Sequence, residues 1–161
     1  MKNKILVLTC VFLAVAFKSQ TKQETINWLN DKLSSSPIVP QGNSNYSKFL
    51  KIDNSGHFTV TQTTEYSFSQ SLNSTSTFSG NFSKLSPSSI KIKNNNGNYS
   101  IWASCSTGKC ITQQSQYSDG KESFTSNEVV LGMTEDYALA ERCKKAIVHL
   151  INLSGGKKET F

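Results

Sequence analysis

The chain has 161 residues, a net charge of +6 and a mean hydropathy of -0.38, a one-domain length that excludes a multidomain protein, a polytopic membrane protein and a coiled coil. Residues 1–19 carry three of the 17 basic groups and no acid, so residues 20–161 hold 14 basic against 11 acidic groups, a net +3 that excludes a polyanion binder built on gross charge. In that larger part Ser, Thr, Asn and Gln make up 58 of 142 residues, so uncharged polar side chains stand where apolar ones are usual.

Lys2 and Lys4 precede an uncharged, largely apolar run of 13 residues, 5–17, which ends at Lys18, Ser19 and Gln20. A basic start, a short apolar middle and a small residue at the exit predict a secretory signal peptide over residues 1–19 and a single domain over 20–161. The run is too short for a membrane span, which takes about 20 apolar residues, so no span is expected after cleavage. Cleavage after Ser19 makes Gln20 the mature amino terminus; cleavage after Ala16 is the alternative. The expected location is secreted or periplasmic. Cys10 lies in the middle of the apolar run and does not read as a lipoprotein cysteine.

Export to an oxidising compartment sets how Cys105, Cys110 and Cys143 are read. Cys105 and Cys110 bracket Ser106, Thr107, Gly108 and Lys109, a turn-like tetrapeptide between two strand-like runs. Opposed residues at the base of a hairpin have Cα atoms about 4.5 Å apart, within bridging range, so a Cys105–Cys110 disulfide is predicted. Cys143 falls on the apolar stripe of a helix and reads as a small buried hydrophobe.

In chain order, Thr21 and Glu24 have capping-box spacing, and Ile26, Leu29 and Leu33 follow at helical intervals with Trp28 beside them, predicting a short helix over 21–33. Residues 34–45 read as a loop. The period then becomes two. Strands are predicted over 46–52 and 57–68, the latter with Phe58, Val60, Tyr66 and Phe68 on one face, and over 72–82 with Leu72, Phe78 and Phe82 in phase. A turn around Pro87 leads to strands over 90–93 and 99–105 joined by the Asn-rich turn 94–98, then a strand over 110–116. Residues 117–123 read as a turn, and the last strand lies within 124–133. So many hydroxyls between the apolar positions predict a sheet wetted on one face.

A carboxy-terminal helix is expected with Thr134 as its cap, Glu135 and Asp136 in its first turn, and Leu139, Cys143, Ile147 and Leu150 as its apolar stripe, stopped by Gly155 and Gly156. The expected fold class is therefore α+β: six to seven antiparallel strands in a pleckstrin-homology-like sandwich or open barrel, a short amino-terminal helix, and the last helix packed on the sheet. Residues Leu139, Cys143, Ile147 and Leu150, with Trp102, are the candidate lining of a pocket beneath that helix.

Residues 24–30, the Cys105 to Cys110 segment, and residues 144–151 before Gly155, Gly156, Lys157 and Lys158 resemble small, exported, uncharacterised proteins of flavobacterial type. The resemblance implies an envelope or secreted location and carries no catalytic residues across.

Catalytic constellations are not legible. No Gly-x-Ser-x-Gly elbow occurs, and His57 and His149 lie far apart, so the helical zinc-hydrolase pair is missing. His57 reads as a solvated turn residue and His149 as a helix-rim residue bonded to a carbonyl or water. Cys143 and His149, six apart on one helix, point to different faces. Asp53, Glu65, Asp119, Glu122 and Glu128 form no spaced acid/base pair. Lys91, Lys93, Lys144, Lys145, Lys157 and Lys158 read as a solvated basic face, and export argues against nucleic acid. The expectation is an exported, non-catalytic protein with no cofactor or metal and a binding or structural role, its partner an envelope or extracellular protein or a small apolar ligand.

Overall fold

The structure, a computed structural model, describes residues 20–117 and 120–155; the predicted signal segment, residues 118 and 119, and the tail from residue 156 lie outside the described residues. Among them the fold is α+β, with nine antiparallel strands in two sheets, one helix at each end, and no closed barrel. No described helix is long and apolar enough to cross a membrane.

Helix α1 (Lys22–Leu33) starts as the spacing predicts. The Thr21 hydroxyl accepts the Glu24 N–H at 3.2 Å, and the Glu24 carboxylate accepts the Thr21 N–H at 2.8 Å, satisfying two amides that no helical carbonyl reaches. Ile26, Leu29 and Leu33 face inward. Asn30 ties the helix to the end of strand β2: its amide donates to the Ile52 carbonyl at 2.9 Å and accepts the Ile52 N–H at 2.8 Å.

The larger sheet has the order β1-β2-β3-β4-β7-β8, from β1 (Val39–Gln41), β2 (Ser44–Ile52), β3 (His57–Tyr66), β4 (Ser74–Asn81), β7 (Ile111–Tyr117) and β8 (Gly120–Ser126). The smaller has the order β5-β6-β9, from β5 (Lys91–Asn95), β6 (Asn98–Ser104) and β9 (Glu128–Thr134). The chain thus passes between sheets after β4, after β6 and after β8. Helix α2 (Tyr137–Leu153) packs on the smaller sheet and on α1, while α1 packs on β2. The core lies between these layers: Leu50, Ile52, Phe58 and Val60 from the large sheet meet Ile101, Ala103 and Leu131 from the small one, with Ile147 and Leu150 from α2. The Phe58 and Phe82 rings are 5.2 Å apart and tilted by 59°. The approach is close enough that a Cβ on Gly132 of β9 would stand 2.9 Å from a Leu33 methyl.

Several expectations require correction. The strands number nine because β1 and β8 lie in segments that read as loop and turn. The β3 alternation ends at Tyr66: Phe68 lies beyond the strand and is 63% exposed. Leu72 sits in a short 3-10 helix and is half exposed, whereas Phe82 is fully buried but belongs to another 3-10 turn, Phe82–Lys84, where the chain leaves the sheet. The tight turn before β6 is confined to Asn96 and Gly97, both at positive φ, so Asn94 and Asn95 stay in β5.

Cys105 and Cys110 lie at disulfide distance, with Cα atoms 5.8 Å apart. They do not close a hairpin, however, because β6 and β7 belong to different sheets; the pair closes one of the crossovers. Finally, α2 is capped by Asp136 rather than Thr134. The Asp136 carboxylate accepts the N–H groups of Ala138 and Leu139 at 2.8 and 3.2 Å, and the Thr134 hydroxyl accepts the N–H of Asp136 itself.

Candidate binding surfaces

The period-two pattern on β3 sends Phe58 and Val60 into the core and Thr59, Thr61, Thr63 and Glu65 to the opposite face. Strand register then carries that wet face across the sheet. Thr63 pairs with Thr75, Thr75 with Gln116, and Gln116 with Lys121; one pleat along, Thr61 pairs with Thr77, Thr77 with Gln114, and Gln114 with Ser123. Two parallel rows of hydroxyl, carboxamide and one ammonium group result, spaced about 4.8 Å from strand to strand.

Over β4, β7 and β8 the rows line a cleft of about 430 Å³ formed by Thr75, Thr77, Gln114, Gln116, Lys121 and Ser123, with Ser115 and Glu122 between them. A second cleft of about 280 Å³ shares Thr75 and Gln116 with it and reaches to Thr63, Glu65 and Tyr117. The two form a continuous polar groove. Phe49, paired with Thr61, is partly exposed on the same face. Behind the groove, Ser115 is buried and holds the strands together: its hydroxyl is 2.8 Å from that of Ser76 and accepts the Gln113 amide at 3.2 Å.

The same buried layer holds Lys48 on β2. Burial pushes its ammonium down to about 8; the group lies 5.1 Å from the centre of the Phe78 ring and donates to the Gln62 carboxamide oxygen. Among the described residues no carboxylate pairs with it.

The residues predicted to line a pocket beneath α2 are placed differently. Cys143, Ile147 and Leu150 are fully buried in the core and Leu139 is partly buried against it, so they occupy the space beneath the helix. Burial pushes the Cys143 thiol up to about 11. Trp102 alternates with the buried Ile101 and Ala103 and stands on the other face of β6, where the Lys93 ammonium sits 3.8 Å from its ring centre. None of these five lines the clefts described here.

His57 is exposed, with its backbone N–H on the Asp53 carboxylate at 3.0 Å; hydrogen bonds, led by the Ser55 hydroxyl, hold Asp53 below the usual carboxylate range. His149 bonds the Gln20 carbonyl through Nε2 at 2.9 Å. No group of three or more His, Cys, Asp or Glu side chains suited to a metal occurs among the described residues.

Sequence reasoning missed the groove because one of its four strands, β8, begins in a segment that reads as a turn. The signal that could have found it is the alternation of Thr59, Thr61 and Thr63 with Thr75 and Thr77. No protein-family model matches the chain, and neither the curated proteins nor the solved structures contain a match.

Proposed function

We propose that this chain is an exported, non-catalytic binding module of the cell envelope or extracellular space, and that its ligand surface is the polar groove across β3, β4, β7 and β8. The single observation carrying this reading is the pair of registered rows, Thr63-Thr75-Gln116-Lys121 and Thr61-Thr77-Gln114-Ser123. Hydroxyls and carboxamides offer both donors and acceptors without net charge, and the single Lys121 is balanced in charge by Glu65. That chemistry complements a neutral, polyhydroxylated chain. The signal-like start of the sequence and the Cys105–Cys110 pair support an oxidising destination.

A few net hydrogen bonds of about 1 kcal/mol each set a modest affinity, on the order of millimolar. Saturation-transfer and amide-shift NMR with maltohexaose, cellohexaose and chitohexaose suit that range. Saturable shifts confined to β3, β4, β7 and β8 with at least one sugar are expected. Silence with all three, or shifts scattered over the molecule, would refute the neutral-glycan reading. Intact mass of the protein recovered from its host outside the cytoplasm is expected to begin at Gln20; a mass beginning at Met1 would overturn export.

A further inference from the structure

On α2, Arg142, Lys145, Ala146 and His149 recur at i, i+3, i+4 and i+7, which places them on one stripe beside the apolar one. Packing of α1 against α2 brings Trp28 to this stripe, and the Arg142 guanidinium carbon lies 5.3 Å from the centre of the Trp28 ring, within cation–π range. At the other end the Gln20 carbonyl, which only accepts, fixes His149 with its proton on Nε2. Together Gln20, Trp28, Arg142, Lys145, Ala146 and His149 line a cleft of about 290 Å³ between the helices. It shares no residue with the groove on the large sheet.

Three cationic or cation-forming side chains converge here, and the two ion pairs among the described residues, Lys32 with Asp31 and Lys91 with Glu128, lie elsewhere. Neither Arg142 nor Lys145 has a carboxylate within 4.0 Å among those residues. Basic side chains on a solvated helix face ordinarily spread apart; here a small Ala146 leaves room between them, and Trp28 restrains Arg142 in the orientation that faces the cleft.

We propose that the inter-helix cleft is a binding site for a tetrahedral oxyanion, phosphate or sulfate. The Arg142 fork supplies two parallel N–H donors, a geometry matched to two oxygens of such an anion, and Lys145 adds a mobile ammonium. Trp28 is a positioning residue, since it acts through Arg142. The neutral groove and this cleft are independent sites, so either can fail without the other.

The test is NMR titration of the oxidised protein with sodium phosphate and sodium sulfate, against sodium chloride at matched ionic strength. The expected result is a saturable shift of the Trp28 indole N–H and the Arg142 Nε–H with the oxyanions and not with chloride. The indole signal is assigned by Trp28→Phe. Arg142→Gln/Lys145→Gln is expected to weaken phosphate by at least about tenfold, the loss of one charge-assisted bond, while Lys93→Gln, at the cation–ring contact with Trp102, leaves it unchanged. Both replaced groups are exposed, so the fold should survive, and thermal melting checks that it has. A linear shift equal to that with chloride, an affinity of the folded double variant within twofold of the parent, or an equal loss in Lys93→Gln would overturn the site.

Discussion

Removing the crossover bridge gives a quantitative test of how the two sheets are joined. In Cys105→Ser/Cys110→Ser the folded state keeps its backbone ties at the crossing, Cys105 N–H to the Asn127 carbonyl and Ser106 N–H to the Lys84 carbonyl, both at 2.8 Å, because neither uses sulfur. The change therefore acts mainly on the unfolded chain, which regains the freedom of the short loop from 105 to 110. For a closed loop of about six residues, chain entropy amounts to about 2 kcal/mol. With an unfolding entropy of about 0.3 kcal/mol/K for a domain of this size, the melting temperature should fall by ~7 °C. Calorimetry on the oxidised parent and the double variant reads this directly, and urea titration should show a lower midpoint with little change in slope. Reductant should bring the parent down to the variant and leave the variant alone. A variant melting within about 2 °C of the oxidised parent would refute the reasoning.

Lys48 has its titration midpoint lowered from 10.5 to about 8 by burial, so the unfolded chain holds this proton where the folded one has released it. The stability this lends is present above the unfolded value and lost as pH falls through about 8, a swing on the order of 3 kcal/mol. Lys48→Met should be the more stable form at pH 7 by roughly 1–3 kcal/mol, with the parent closing that gap between pH 8 and 10.5; denaturation at several pH values checks it, and a pH-independent gap would sink it. Asp136→Ala removes the acceptor for two first-turn amides of α2 and should cost about 1 kcal/mol, seen as a lower urea midpoint, whereas an unchanged midpoint would deny the cap. Gln114→Ala/Gln116→Ala takes both carboxamides from the groove at exposed positions. Its melting temperature should hold within about 2 °C while affinity for the responding hexaose falls about tenfold or more; unchanged affinity would move the site elsewhere.

Elements with a one-sided apolar pattern were legible in the sequence. The stripe of α2 and the alternation of Phe58 and Val60 announce themselves because burial on one side leaves a period. The Thr21 and Glu24 pair was legible because capping is local chemistry. Strand β8 was not: all of Gly120 to Thr125 is exposed, so no face selects apolar residues and no alternation is written. The short edge strand β1, with Pro40 inside it, is silent for a similar reason. Phe68 and Leu72 misled because the alternation continues past the residues that pair. Cys105 and Cys110 were legible as a bridge, since their separation is local, but not as a crossover, which depends on β7 pairing with β4 over more than thirty residues. The groove falls between these cases. Its threonines are visible one strand at a time, while the rows exist only once register joins four strands.

The large sheet is made of two parts with different physical roles. Over β2 and β3 its inner face is apolar, and removal of Leu50, Ile52, Phe58 and Val60 from water stabilises the fold. Toward β7 and β8 that support fades: Ile111 is buried at one end of β7, but the next inward positions are Gln113 and Ser115, and β8 buries nothing along Gly120 to Thr125. This wing is held by the backbone ladder and by the Ser76, Gln113 and Ser115 contacts rather than by a core. Interior positions are constrained by packing, so they tolerate few residue types; the exposed face of the wing is free of that constraint, and the side chains of Gln114 and Ser123 take no part in the Ser76, Gln113 and Ser115 contacts. Lys121 and Glu122 on the outermost strand discourage another chain from pairing with its open edge. A projecting sheet that adds little burial, guards its edge with charge and carries donors and acceptors in register is better suited to contact than to stability, and the groove lies across that part of the sheet.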